Sequence, residues 1–161
     1  MNNDSPFGYS LALLNGDIAL TNSANTVTEN GVTRPLKTLQ LVSGNANLIQ
    51  ALTLRAQTPL SSDIFNTTYG LDIKEAFVQP NSTRMVKELI KLSLVRTLAT
   101  DPRVQDIREF LFMDDPLYLT RHPETTQQRV QDLRHARLWL VDVVIDTIDA
   151  QIETLSLNVG V

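Results

Sequence analysis

Leu138-Trp139-Leu140-Val141-Asp142-Val143-Val144-Ile145-Asp146 is the stretch that decides the fold. Its apolar residues alternate, as in a strand whose two faces meet different surroundings. Trp139, Val141, Val143 and Ile145 share one face, and Leu138, Leu140, Asp142, Val144 and Asp146 share the other. After Asp149-Ala150 a second alternating run puts Leu155, Leu157 and Val159 on one face and Thr154, Ser156 and Asn158 opposite. Two strands joined by a short acidic turn predict a hairpin from about Ala136 to Val159. Its inner face suits a helix; its solvated rim carries Asp142 and Asp146. An unpaired strand edge is a template for another chain's strand, and edge charges deter unwanted pairing.

Upstream, the spacing changes to that of helices. Met85, Leu89, Leu92, Val95 and Ala99 form one stripe, and Val86, Ile90, Leu94 and Leu98 form a second beside it. A stripe this wide predicts packing on more than one neighbour. Asn81 or Ser82 can cap this helix, and Pro102, lacking an amide donor, stops it. An earlier helix opens at Gly44 and Asn45, carries Leu48, Ile49, Ala51, Leu52 and Ala56 inward, and cannot pass Pro59. Arg55 borders its buried stripe, and a loop follows through Ser61, Ser62, Asn66, Thr67 and Tyr69-Gly70.

Val104 to Phe112 mixes both periods and is read as extended. Pro123 to His135 is read as a short polar helix, with Pro123 in its first turn and Val130 and Leu133 inward. Near the N-terminus, Asn15-Gly16 between short apolar runs signals a two-residue hairpin turn. The Asn-, Thr- and Ser-rich stretch from Thr21 to Pro35, with Gly31 and Pro35, reads as a linker. The expected fold is α+β: two main helices on a small, mostly antiparallel sheet ending in a C-terminal β-hairpin. One domain, 1–161, is expected, with an N-terminal hairpin and loop region at about 1–42.

Composition narrows the function. The chain has 161 residues, close to the ~150 of one domain, and its 42% hydrophobic and 20% charged content is that of a globular protein. It has no cysteine, which excludes disulfides, thiolate metal sites and cysteine nucleophiles. No apolar run reaches the ~18 residues of a spanning helix, so no membrane partner is expected. Met1-Asn2-Asn3-Asp4 lacks the basic flank and apolar stretch of a signal peptide. A net charge of −4 argues against a nucleic-acid partner. The deficit is local: from Leu138 onward stand Asp142, Asp146, Asp149 and Glu153 with no Lys or Arg. A partner for that end should be neutral or basic.

Candidate chemistry is sparse. Asp114-Asp115 invites comparison with the paired carboxylates of glycosidases, but strand neighbours point to opposite faces and Asp115-Pro116 is a turn opener. His122 and His135 lack a partner at metal spacing, so surface or capping roles are expected and no metal or other cofactor is implied. Arg129, Arg134 and Arg137 are interleaved with Glu124 and Asp132. No phosphate-binding glycine loop or nucleophile elbow occurs. Arg103, just past a proline stop, has a rigid backbone and a donor fork suited to carboxylates or a partner's carbonyls. The residues alone favour an ion pair within the chain, to Asp101 or Asp106.

Three patterns, in order and spacing, resemble the small, lysozyme-like baseplate-wedge (sheath initiator) family of contractile phage tails, type VI secretion baseplates and extracellular contractile injection systems. They are Gly44, Asn47-Leu48-Ile49-Gln50, Leu52, Arg55 and Thr58; Tyr69-Gly70-Leu71; and Asp101-Pro102-Arg103-Val104 at the end of the long helix. Family members carry Glu-Pro-Arg at the third; aspartate at 101 keeps the charge and shortens its reach. The resemblance spans roughly Asp17 to Val159, and the Asp114 to His135 segment is longer than a minimal member needs.

The resemblance implies a structural protein, not an enzyme. Asp101, Pro102 and Arg103 would dock on the helical bundle of the larger wedge proteins. The hairpin edge, with Asp142, Asp146, Thr154 and Ser156, would receive strands of the first-ring sheath subunits. Tube or hub proteins are further neighbours, and several copies would stand in a ring assembled in the cytoplasm as part of a phage tail-like particle. Two alternatives are a peptidoglycan-cleaving glycosidase, which the 6% aromatic content does not favour, and a free-standing adaptor domain of the same fold.

Overall fold

The computed structural model describes residues 6–30 and 32–160; the readings on Met1-Asn2-Asn3-Asp4 and on Gly31 lie outside them. The chain is α+β and divides into two compact units, Met1–Gln50 and Ala51–Val161.

The first unit holds β1 (Tyr9–Leu11), β2 (Leu13–Leu14), β3 (Asp17–Ile18), β4 (Leu20–Glu29), β5 (Val32–Leu39), β6 (Leu41–Ser43) and the start of α1 (Gly44–Gln57). Strands pair antiparallel as β1–β6, β2–β3 and β4–β5. Asn15 and Gly16, at φ 53° and 87°, make the β2–β3 turn, as Asn-Gly predicts. Two α1 side chains bond the backbone between Phe7 and Leu13. Asn47 donates to the Phe7 carbonyl (2.6 Å) and accepts from Ser10 Oγ (2.5 Å). Gln50 donates to the Leu11 carbonyl and accepts from the Leu13 amide, both at 2.8 Å.

The Thr21 to Pro35 stretch is not a linker. It forms most of the long β4–β5 ribbon, bulged between Asn22 and Thr26. Its Thr residues suit extended backbone, and Thr28 and Thr33 bond across it (2.9 Å). Because almost all its described side chains are exposed, it lacks the apolar alternation by which strands are recognised.

The second unit holds the rest of α1, then α2 (Lys74–Val78), α3 (Thr83–Leu98), β7 (Val104–Phe112), α4 (Pro116–Arg121), α5 (Gln127–His135), β8 (Leu138–Thr147) and β9 (Ile152–Gly160). Ser82 caps α3 by accepting from the Met85 amide. Ile90, Leu94 and Leu98 are fully buried, together with Val141, Val143, Ile145 and Leu155. Each stabilises the fold by about 1.5–3 kcal/mol before entropy is charged. Phe112 and Trp139 meet edge to face at 5.9 Å.

Several expectations change here. The Val104 to Phe112 segment is extended, as read, and it pairs with β8, giving one antiparallel sheet in the order β7–β8–β9. Among the described residues, two short helices that were not expected, α2 and α4, join the two main ones and the expected polar helix, α5. The helix expected from Pro123 starts at Gln127, because Thr126 Oγ1 accepts the Arg129 amide and caps it there. Val130 is buried as expected. The outer stripe of α3 does not pack: Met85 is 50%, Leu92 47% and Val95 40% exposed.

Candidate functional site

The three sequence patterns behind the resemblance contribute to one corner of the second unit. Arg55, on the last turn of α1, donates from Nη1 to Thr100 Oγ1 (2.8 Å) and lies over the Tyr69 ring, 4.9 Å from its centroid. Thr97 Oγ1 donates to the Gly70 carbonyl (3.0 Å), and Ser93 Oγ to the Asp72 carbonyl (2.5 Å). The 58–60 and 70–72 segments are tied by Leu71 N to Thr58 O (2.8 Å) and Leu60 N to Leu71 O (3.1 Å). Gly70 is required here: at φ 120°, a Cβ would stand 2.6 Å from the Thr58 carbonyl oxygen.

Asp101 and Arg103 complete the corner. Arg103 Nε and Nη2 grip the two Asp101 carboxylate oxygens at 2.9 and 2.8 Å, and the Arg103 amide adds a third bond (3.0 Å). These bonds hold Asp101 below the usual carboxylate range, against the opposing effect of burial. The same pairing raises Arg103. Aspartate fits because its short side chain closes this fork within two residues. The within-chain ion pair to Asp101 is therefore present, while Asp106 accepts from the Ile107 amide. Burial raises the Tyr69 hydroxyl above its ordinary value. Pro102 projects to solvent beside this fixed pair.

The hairpin residues separate into two groups. Asp142 and Asp146, expected at a solvated rim, lie on the central strand β8, because β7 covers the side that a two-stranded hairpin would leave open. Asp142 is 2% exposed, accepts from Ser156 Oγ (2.7 Å) and meets His122 Nε2 (2.8 Å). Asp146 pairs with Arg108 of β7, and Asp149 accepts from Thr147 Oγ1. The local acidity is thus largely answered inside the molecule, which weakens the case for a basic partner. Thr154 and Ser156 are on an edge strand: among the described residues, β9 pairs only with β8.

The ladder directs that edge. Thr147 N donates to Gln151 O and Met113 N to Leu140 O, so odd positions of β8 bond β9 and even ones bond β7. Ile152, Thr154, Ser156 and Asn158 therefore turn their backbone amides and carbonyls outward.

His122 was not foreseen as more than a surface or capping residue. It does end α4, its amide donating to the Tyr118 carbonyl, but its ring also stacks on Tyr118 at 4.3 Å and touches Glu124 (3.2 Å). The Asp142 hydrogen bond chiefly raises its pKa. Burial, then Asp142 and Glu124, push the Tyr118 hydroxyl up to about 12. Nothing in the local sequence signals this chain, since its members are 20 and 14 residues apart. Ser156 Oγ donates to Asp142 Oδ1, while His122 meets the other carboxylate oxygen, Oδ2.

Asp114 and Asp115 both meet Lys87 and are engaged within the chain. Asp114 is held by Lys87 (2.5 Å) and Arg134; Asp115 accepts the Phe112 amide (2.7 Å) and opens α4 ahead of Pro116. This is the turn role read from Asp115-Pro116. Arg134 also lies over Trp139, so it forms no open basic face with Arg129 and Arg137. His135 is exposed at the end of α5. Among the described residues, no group of three His, Asp or Glu is arranged to hold a metal, and no helix is long and apolar enough to cross a membrane. No protein-family model matches the chain, and no curated protein matches it in sequence.

Proposed function

We propose that this chain is a structural component of a contractile-tail baseplate, the sheath initiator of a phage tail or related injection particle. The observation that carries the reading is the corner where Arg55, Tyr69-Gly70 and Asp101-Pro102-Arg103 meet. They come from the separated patterns on which the resemblance rests, and hydrogen bonds fix each of them within the second unit. A corner fixed by such bonds, with Pro102 exposed, suits docking on a helical wedge bundle, since little conformational freedom is lost on binding. The open β9 edge suits the second task, receiving a strand from a first-ring sheath subunit. Several copies would stand in a ring beside wedge, tube and hub proteins, assembled in the cytoplasm. The role is assembly, not catalysis.

The test is copurification with sheath and wedge proteins from cells making the particle, using two variants. Arg103→Ala should leave the chain folded and reduce its incorporation into baseplates. Thr154→Pro removes an outward amide without touching Asp142, and should give baseplates with naked tubes. Normal particles from both variants would refute the reading. A chain that never accompanies sheath or wedge proteins would favour the free-standing adaptor.

A further inference from the structure

A groove of about 610 Å³ lies beside the far end of the open strand. One wall is Asn158, Val159 and Gly160 of β9; the other includes Ala56, Pro59, Leu60, Leu71 and Ile73. Asp72 and Lys74 both border it, so its fixed charges cancel. The groove and the edge belong together. Ser156 and Asn158 turn their amides outward, and Val159 points to the buried side of the sheet at 1% exposure.

A strand added to β9 would place one residue beside Val159. Cross-strand neighbours share a face, so that residue's side chain must also point to the buried side, where the groove opens. Its two neighbours in sequence face solvent.

We propose that this groove is an anchor pocket for one large aliphatic or aromatic residue of an extended partner segment, paired through its backbone with Ser156 and Asn158. The inference rests on the strand-addition reading above and adds the partner's chemistry. The segment is neutral, alternates polar and apolar residues, and carries its bulky residue next to Val159. Backbone pairing supplies attachment; the pocket selects register and sequence. A slip of one residue would turn the anchor to solvent and leave the pocket empty.

The probes are two acetylated, amidated peptides, Thr-Gln-Thr-Leu-Thr-Val-Thr and its counterpart with alanine in place of both Leu and Val. Each is titrated into the isotope-labelled full chain and followed by amide and methyl NMR. The expected result is shifts of the Ser156 and Asn158 amides and of the Leu60 and Ile73 methyls, with the first peptide binding at least tenfold more tightly than the second. Asn158→Pro should abolish binding. Leu60→Gln, with an otherwise unchanged spectrum, should erase the difference between the peptides.

Edge shifts with equal affinity for the two peptides would overturn the anchor while leaving strand addition intact. Absence of binding by either peptide would overturn the anchor. So would concentration-dependent self-association through β9, which would name a second copy as the occupant. If the peptide result holds but sheath and wedge proteins never copurify, the pocket stands and the baseplate reading fails.

Discussion

Removing the imidazole of His122 should be among the costly substitutions at a partly exposed position. His122 Nε2 is 2.8 Å from the Asp142 carboxylate, which is 2% exposed and also accepts from Ser156 Oγ (2.7 Å). A hydrogen bond to a charged group contributes about 1.5–3 kcal/mol, and stranding one charge of an enclosed pair costs roughly 3–5. The ring is 26% exposed, so water entering the vacated space moderates the loss. His122→Ala should therefore destabilise the chain by about 2–3 kcal/mol at pH 6, or roughly 5–10 °C in Tm.

The pH dependence follows from the raised pKa of His122 in the fold. The contribution is complete below the ordinary histidine value of ~6.5 and declines as pH rises through the folded value. Above that, the neutral ring still donates to Asp142, leaving about 1 kcal/mol. Urea titrations of wild type and variant from pH 5.5 to 9 measure the difference directly. A cost below about 0.5 kcal/mol, or one independent of pH, would refute the buried pair. A double-mutant cycle with Asp142→Asn should assign most of the loss to coupling between the two residues.

Three further outcomes are expected. Because Asp101 is held low by Arg103, the ion pair should stabilise above the ordinary carboxylate value of ~3.9 and fade as pH falls through the folded value. Arg103→Ala should thus cost about 1–2 kcal/mol at pH 7, and the cost should shrink as pH falls through the folded value, by thermal or urea melts. Gly70→Ala should lower stability by roughly 2 kcal/mol or more, since the Cβ meets backbone oxygens at 2.6 and 2.8 Å at φ 120°; an unchanged Tm would contradict this geometry. Replacing Asp114 and Asp115 by Asn should weaken their contacts with Lys87, Arg134 and the Phe112 amide and lower Tm by a few degrees. Neither wild type nor this variant should release muropeptides from peptidoglycan, and cleavage lost on substitution would establish an enzyme.

Local rules made much of the architecture legible. The apolar alternation of 138–146 and 155–159, the proline stops at Pro59 and Pro102, the Ser82 cap and the Asn15-Gly16 turn all act within a few residues. Each is a matter of backbone sterics or side-chain periodicity, so the chain alone determined the two main helices and the terminal strands. Asp101-Arg103 was likewise readable as a pair because the partners are two residues apart.

Tertiary structure decided what depends on neighbours far along the chain. Whether Asp142 is a solvated rim charge or a buried acceptor depends on β7 pairing with β8, and β7 carried no clean period. That one pairing closed the side of β8, leaving β9 as the open edge, and the buried acid meets a histidine 20 residues away. The outer stripe of α3 looks as apolar as the buried one beside it, because periodicity records the chemistry of a face and not whether anything covers it. The β4–β5 ribbon escaped notice for the converse reason: with nearly all its described side chains exposed, it is held by backbone pairing that leaves no apolar imprint on the sequence.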